Sequence, residues 1–369
     1  MIFIITILIC FISSIFMSNT KVIGFFALMV FAYLAGSPDP NHILDYSVYE
    51  NHYNILKWEV SPFEKGYTNL SLLFYNRGLE YAQFRLIFAI LACVILFVGV
   101  CLFTKKVALF AGLYGITVFF NDATQIRNLM MISLVILGAG LFARKNKVSK
   151  VTGIIALFFA TQFHDLGFVY LIIIPIFGFF NMKTLRKIYT YAVGILFFLG
   201  FFFSIGNKSK IVQLISQFLT SFSSRSSSAE NVVNNFGRGN SLSNVILVWC
   251  SLALFSITLI ILLDAVSGVI PENSVKAKIL FLGSATAMIV VYLILLAPDY
   301  SRISRNSFLF LLLLLCFVLE NKRFTRELKP NIIKYVIIIS TLFAVTYVNT
   351  TIWGPNYYQT IPYLAKIKK

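Results

Sequence analysis

Residues 84–103 read FRLIFAILACVILFVGVCLF, twenty positions whose single charge, Arg85, stands at the edge. A helix of that length rises about 30 Å, the thickness of a bilayer's hydrocarbon core. A membrane barrel would alternate polar and apolar residues at every second position, and this stretch does not, so it reads as a helix. Working outward, similar apolar runs recur near 2–17, 22–36, 107–120, 128–143, 151–163, 166–180, 188–205, 244–263, 279–297, 307–319 and 335–349. Several fall short of the ~17–25 residues of a full span. The expected fold is therefore all-α, a single polytopic membrane bundle of ten to twelve spans over residues 1–369, with the runs at 107–120 and 151–163 broken or half-inserted.

Composition agrees with that reading. The chain is 59% hydrophobic and 12% charged, with a mean hydropathy of +0.84, whereas soluble domains carry roughly 25% charged residues. The start at Met1 has no basic region and no small-residue cleavage site, which argues against a removed signal peptide. Cys10, Cys93, Cys101, Cys250 and Cys316 all lie in apolar runs and read as small core residues, with no disulfide framework or metal signature. No P-loop, dinucleotide glycine fingerprint, HExxH or GxSxG occurs, so no nucleotide-driven pump or known hydrolase is indicated, and no metal or cofactor is expected.

Charge orients the runs. One set of alternate loops is short and dense in Lys and Arg: Lys21, Lys105 and Lys106, the cluster from Arg144 to Lys150, Lys183 to Lys187, Lys276 and Lys278, and Lys322 to Lys334. Such loops mark the cytoplasmic side. The opposite set holds the segments 37–83, 206–243, 298–306 and the tail 350–369, so both termini are expected to face outward. The net charge of +17 is accounted for mainly by cytoplasmic lysines meeting anionic lipid, with no nucleic-acid partner implied. Outer-face arginines (Arg77, Arg85, Arg127, Arg225, Arg238, Arg302 and Arg305) are a separate matter, because a guanidinium fork binds phosphate in bidentate fashion.

Polar clusters gather on that outer set. If residues 45–53 are helical, Asp45, Tyr49, His52 and Tyr53 share a face. With Tyr46 they would give a carboxylate beside an aromatic shelf suited to sugars, or else a tyrosine belt at the membrane interface. Pro62 to Tyr67, with Glu64 and a turn at Gly66, leads into an amphipathic stretch expected to lie in the interface. Gln125 and Arg127 open an apolar helix, where Arg127 either snorkels or holds an anion near the helix dipole's positive end. His164 and Asp165 fall between two apolar runs with no room for a conventional loop, as an acid–base pair or a helix-end cap. Arg302 and Arg305 stand three apart on one face, a clamp for a diphosphate or a plain turn paired with Asp299. The Ser- and Asn-rich segment 206–243 reads as a polar outer loop.

Taken in order, DYSVYENHY (45–53), EKGYTNL (64–70), QIRNLMM (125–131) and FHDLGFVYLII (163–173) resemble the EpsG-like bacterial polysaccharide polymerases, the Wzy group, over roughly residues 30–180. Beyond that the chain is similar only in hydropathy and in its long polar outer loop. The resemblance implies a membrane glycosyltransferase of GT-C-like type in the bacterial inner membrane, active at its periplasmic face. It implies transfer of a growing O-antigen, capsule or exopolysaccharide chain from undecaprenyl diphosphate onto a lipid-linked repeat unit. Partners would be that lipid-linked oligosaccharide, the bilayer and a chain-length regulator. Cast into this reaction, Arg127 with Arg302 and Arg305 would neutralise the diphosphate, and His164 or Asp45 would deprotonate the acceptor. Tyr46, Tyr49 and Tyr53 would orient sugars, with Glu64, Gln125 and Asp165 lining the substrate. A lipid-linked oligosaccharide flippase and an O-antigen ligase are the alternatives; charges gathered at one rim, rather than along a path through the helices, favour the polymerase.

Overall fold

The computed structural model describes residues 1–43, 45–205, 240–266, 271–321 and 332–352. The segment 206–239, Arg225 and Arg238 within it, the basic run 322–331 and the tail from 353 lie outside the described residues. All regular structure in the described residues is helical, as an apolar chain requires where every backbone N–H and C=O must be satisfied internally. The helices are α1 (Ile2–Phe16), α2 (Lys21–Gly36), α3 (Tyr46–Ile55), α4 (Lys65–Tyr75), α5 (Tyr81–Phe103), α6 (Val107–Thr117), α7 (Phe119–Thr124) and α8 (Ile126–Phe142). They continue as α9 (Lys147–Thr161), α10 (Gly167–Gly178), α11 (Met182–Ile205), α12 (Leu242–Val266), α13 (Pro271–Ala285), α14 (Val290–Leu293), α15 (Ser301–Glu320) and α16 (Ile332–Thr351).

Among the described residues, six helical stretches are long and apolar enough to cross a membrane: Tyr81–Phe103, Met182–Phe201, Leu242–Val266, Val275–Leu293, Pro298–Glu320 and Ile332–Thr351. Five shorter apolar helices accompany them: Ile2–Phe16, Lys21–Gly36, Val107–Thr117, Ile126–Phe142 and Gly167–Gly178. The break expected within 107–120 falls at Val118, and a second at Gln125, so α6, α7 and α8 form one interrupted rod. Residues 147–161 instead make a continuous helix, α9, capped where the Asn146 side chain accepts the Val148 amide at 3.0 Å.

Two helices organise the interior. α8 packs on α5 and α9, and small residues set its approach. A side chain at Gly138 would meet the Gly153 carbonyl of α9 at 2.8 Å, and one at Gly99 of α5 would meet the Leu137 amide at 2.8 Å. α15 runs through the second half, packed by α13, α12 and α6, with Arg305 through Val318 buried without interruption. α11 and α16 lie at the periphery, where exposed Ile195, Phe198, Val336 and Phe343 would face lipid.

The alternate loops sort to two separate groups of contacts. At one, the Lys105 carbonyl accepts from Thr20, the Glu320 carboxylate accepts from Thr104 and from the Lys105 amide, and the Lys278 ammonium donates to the Gly178 carbonyl. At the other, segments 37–83, 121–128, 162–166 and 298–306 meet one another. Loops that charge alone assigned to opposite sides thus make none of these contacts with each other, and the second group contains the polar clusters.

Candidate active site

Glu64 and Arg127 meet across 63 residues of sequence. The Glu64 carboxylate, at the N-terminal edge of α4, accepts from Arg127 Nη1 in the first turn of α8. Both side chains are buried, at 2% and 9% exposure. Tyr49 Oη accepts from Arg127 Nε at 3.4 Å, and the guanidinium lies 4.1 Å from the Phe63 ring centre, with the Tyr49 and Tyr67 rings at 5.4 and 5.8 Å. An aromatic box of this kind stabilises a desolvated cation through ring quadrupoles. Arg127 Nη2 donates no hydrogen bond to any described residue, which leaves one arm of the fork for a further anion.

Local sequence explains the box. α3 and α4 form a cap whose buried faces are mostly aromatic: Tyr46, Tyr49, His52 and Tyr53 on α3, and Tyr67 with the small Ser71 on α4. His52 Nε2 lies 3.1 Å from Ser61 Oγ, which also contacts Thr68 Oγ1 at 2.6 Å and accepts the Phe63 amide. The loop 61–63 is thereby fixed, placing Phe63 on Arg127. Burial, and then the charge of Arg127, lower the His52 pKa from 6.5 to about 4, so its ring is neutral at pH 7. Gly66 serves a tighter purpose than the expected turn. A side chain there would strike Gln162 at 2.7 Å, and the Gln162 carbonyl accepts the Gly66 amide at 2.9 Å. That contact docks the cap on the loop carrying His164 and Asp165.

Asp45 precedes α3 and is half-buried. Burial raises its pKa above the usual carboxylate value, while Arg302, Arg127 and Arg85 oppose the rise. The charges of all three arginines thus act on Asp45 through space. Arg302 Nη2 donates to Asp299 at 2.8 Å. Arg305 points elsewhere: its Nη2 donates to Gln125 Oε1 at 2.6 Å and its Nε lies 3.9 Å from the Asp122 carboxylate. Arg302 thus forms the turn pair with Asp299 that the sequence offered, while Arg305 turns to the layer of Gln125 and Asp122. His164 sits half-buried in the turn between α9 and α10, where Nδ1 accepts the Leu166 amide at 3.2 Å and so leaves the proton on Nε2. Asp165 shares that turn.

Other expected residues are placed differently. Tyr46 and Tyr53 pack inward: Tyr46 against Tyr81 and the Arg85 guanidinium, Tyr53 stacked on Phe84 with its hydroxyl donating to the Leu79 carbonyl at 2.9 Å. In this conformation they wall the cap and do not present an open shelf. Arg85, one of the outer arginines, is fully buried and donates to the Ala35 and Ala123 carbonyls at 3.0 and 2.7 Å, so it ties helices together. Behind the site lies a polar layer whose role the sequence did not disclose. Asp122 accepts from Tyr114 Oη at 3.2 Å and Asn128 Nδ2 at 3.0 Å, and Asn128 and Asn306 exchange two hydrogen bonds of 2.9 Å. The signal was available as amides set just inside apolar runs. Among the described residues no group of three His, Cys, Asp or Glu could hold a metal.

A polytopic helical membrane protein with a buried arginine–carboxylate pair under an aromatic cap is the class that fold and site define. The family model for EpsG matches residues 25–365, and the chain belongs to the EpsG family. The match extends the likeness well past residue 180, over the C-terminal helices that carry Arg302 and Asn306. Membership assigns a general polymerase-type role in polysaccharide biosynthesis. No curated protein and no solved structure matches the chain.

Proposed function

We propose that the chain is a glycosyltransferase that moves a growing glycan from undecaprenyl diphosphate onto the terminal sugar of a lipid-linked repeat unit, at the outer face of the bacterial inner membrane. The observation that carries this reading is Arg127: a desolvated guanidinium with one unengaged arm, boxed by aromatic rings at the end of the bundle opposite the basic loops. In the reaction the bond between the sugar's anomeric carbon and the diphosphate oxygen breaks, and the acceptor hydroxyl oxygen bonds to that carbon. The broken pair leaves with undecaprenyl diphosphate, so no cofactor is required.

Arg127, with Arg302, neutralises charge as it develops on the leaving oxygen. Fixed donors in a dry site are worth on the order of 10²–10³ in rate each. Arg305 and Gln125 support from the second layer. Glu64 holds the Arg127 fork in register, and Tyr49 orients it from the side. Asp45 takes the acceptor proton, since its raised pKa brings a carboxylate nearer the pH at which a base works best. His164 and Asp165, on the loop against the cap, border the acceptor side.

The test is deletion of the gene in its host, with complementation by wild type and by Arg127→Ala, reading the surface polysaccharide on gels. The expected result is a single repeat unit on its acceptor, extended to a ladder by wild type alone at equal membrane levels. Loss of even the single unit would assign a flippase or ligase instead, and a ladder from Arg127→Ala would remove Arg127 from the mechanism.

A further inference from the structure

A groove of about 370 Å³ lies between α10, α11 and the α13–α14 segment, well separated in sequence from the cap. Its wall includes Phe177, Tyr189, Ala192, Phe281, Met288 and Leu293. Its volume is in the ~300–1,000 Å³ range of small-molecule sites, but its lining is hydrocarbon. Three hydroxyl-bearing residues stand on the wall: Tyr189, whose Oη donates to Ser256 at 3.1 Å, Thr286, which pairs with Ser307, and Tyr292. Along α11 the lining runs from Leu185 to Leu196, roughly 16 Å of depth at 1.5 Å per residue. A site of that depth and chemistry, inside a membrane bundle, fits an extended apolar chain.

We propose that this groove seats the isoprenoid chain of the lipid-linked substrate, an inference that rests on the function proposed above. The connection is Thr286. It lines the groove and pairs with Ser307, which follows Asn306 and Arg305 on α15. Those two residues belong to the layer that reaches Gln125, two positions from Arg127. The wall of the groove at Thr286 is therefore continuous with the polar layer behind the arginines, and the lower part runs toward the basic end, where Lys183 and Arg186 open α11. A diphosphate held in the arginine layer would lead its own hydrocarbon into this groove. A phospholipid, whose headgroup stays at the interface, has no such reason to occupy it. Entry from the bilayer is open sideways, because only 17% of the apolar window of α11 is buried.

The experiment uses the full chain in nanodiscs with a polyprenyl diphosphate bearing a diazirine on its chain. Cross-linked peptides are mapped with and without excess unlabelled polyprenyl diphosphate or phosphatidylglycerol. Labelling of α10, α11 and α13, displaced by the polyprenyl diphosphate and not by phosphatidylglycerol, is the expected result. Labelling elsewhere, or equal displacement by both lipids, overturns the proposal. Ala192→Trp, which fills the groove, should raise KM for the lipid-linked substrate about tenfold, one kcal-scale apolar contact, with a smaller change in kcat. An unchanged KM also overturns it. The wild-type map does not depend on that variant folding. If the groove labels as expected while the deletion strain still makes a full ladder, the polymerase reading fails and the lipid site stands.

Discussion

Arg127 and Glu64 meet at 9% and 2% exposure, while at the opposite end Arg186 and Asp264 meet at 42% and 45%. The two pairs have the same chemistry and different physics. The exposed pair keeps its hydration, is screened by salt and contributes little, typically under ~1 kcal/mol. The buried pair has lost its water, and its attraction does little more than offset that loss. Stability therefore does not explain why a guanidinium is held under an aromatic cap. At the basic end charge anchors the protein to its surroundings; at the site end it is stripped of solvent, the condition under which it can act on a substrate.

Five variants break or sharpen that contrast, the most damaging first. Arg127→Ala leaves Glu64 buried and uncompensated, so melting in detergent should show a loss of about 3–5 kcal/mol and polymer should vanish. Replacing both partners, Arg127→Met with Glu64→Met, should recover most of the melting temperature and none of the ladder. Polymer from the double variant would mean that the pair is structural. Asp122→Asn keeps the shape of the polar layer but removes the charge facing Arg305 and the strong acceptor for Tyr114. A cost of about 1–3 kcal/mol is expected by thermal unfolding, with activity reduced in proportion to folded protein.

A pH series separates the cap from the bundle. His52 titrates near 4 when folded and near 6.5 when unfolded. Its contribution is thus fully present above pH 6.5 and is lost as pH falls toward 4. The melting temperature of His52→Gln should fall less steeply across that window than that of wild type; parallel curves would place the acid sensitivity elsewhere. The smallest effect belongs to Arg186→Ala, expected within about 0.5 kcal/mol of wild type with an unaltered ladder. A large effect there would erase the distinction between the two ends.

The helices were legible because lipid leaves an apolar chain few alternatives, and residues 84–103 became α5 almost to the residue. The break after Thr117 was legible from the shortness of its run. The motifs were legible as a set, but their meeting points were not. Nothing local in EKGY or QIR states that Glu64 and Arg127 pair, since the contact arises only when the cap folds back over α8. Helical spacing left Arg302 and Arg305 open between a clamp and a turn paired with Asp299; Arg302 takes Asp299 in its own turn, while Arg305 reaches Gln125 on another segment. Spacing set Tyr49, His52 and Tyr53 on one face, and that face is buried together with Tyr46, the rings supplying the cap's own core. A tyrosine's hydroxyl suggests water; its ring area decides otherwise where aromatic neighbours surround it.

The reciprocal amide contact between Asn128 and Asn306 carries a consequence of a different sort. In a bilayer a leucine face is nearly as content against lipid tails as against another helix, so apolar surfaces alone specify alignment poorly. Two amides that must each donate to and accept from the other fit at one rotation and one height. A slip of α15 by a single residue, 1.5 Å along its axis, would break both bonds at once. What the pair supplies is information: it selects, from many greasy arrangements of similar energy, the one that sets Arg305 against Gln125.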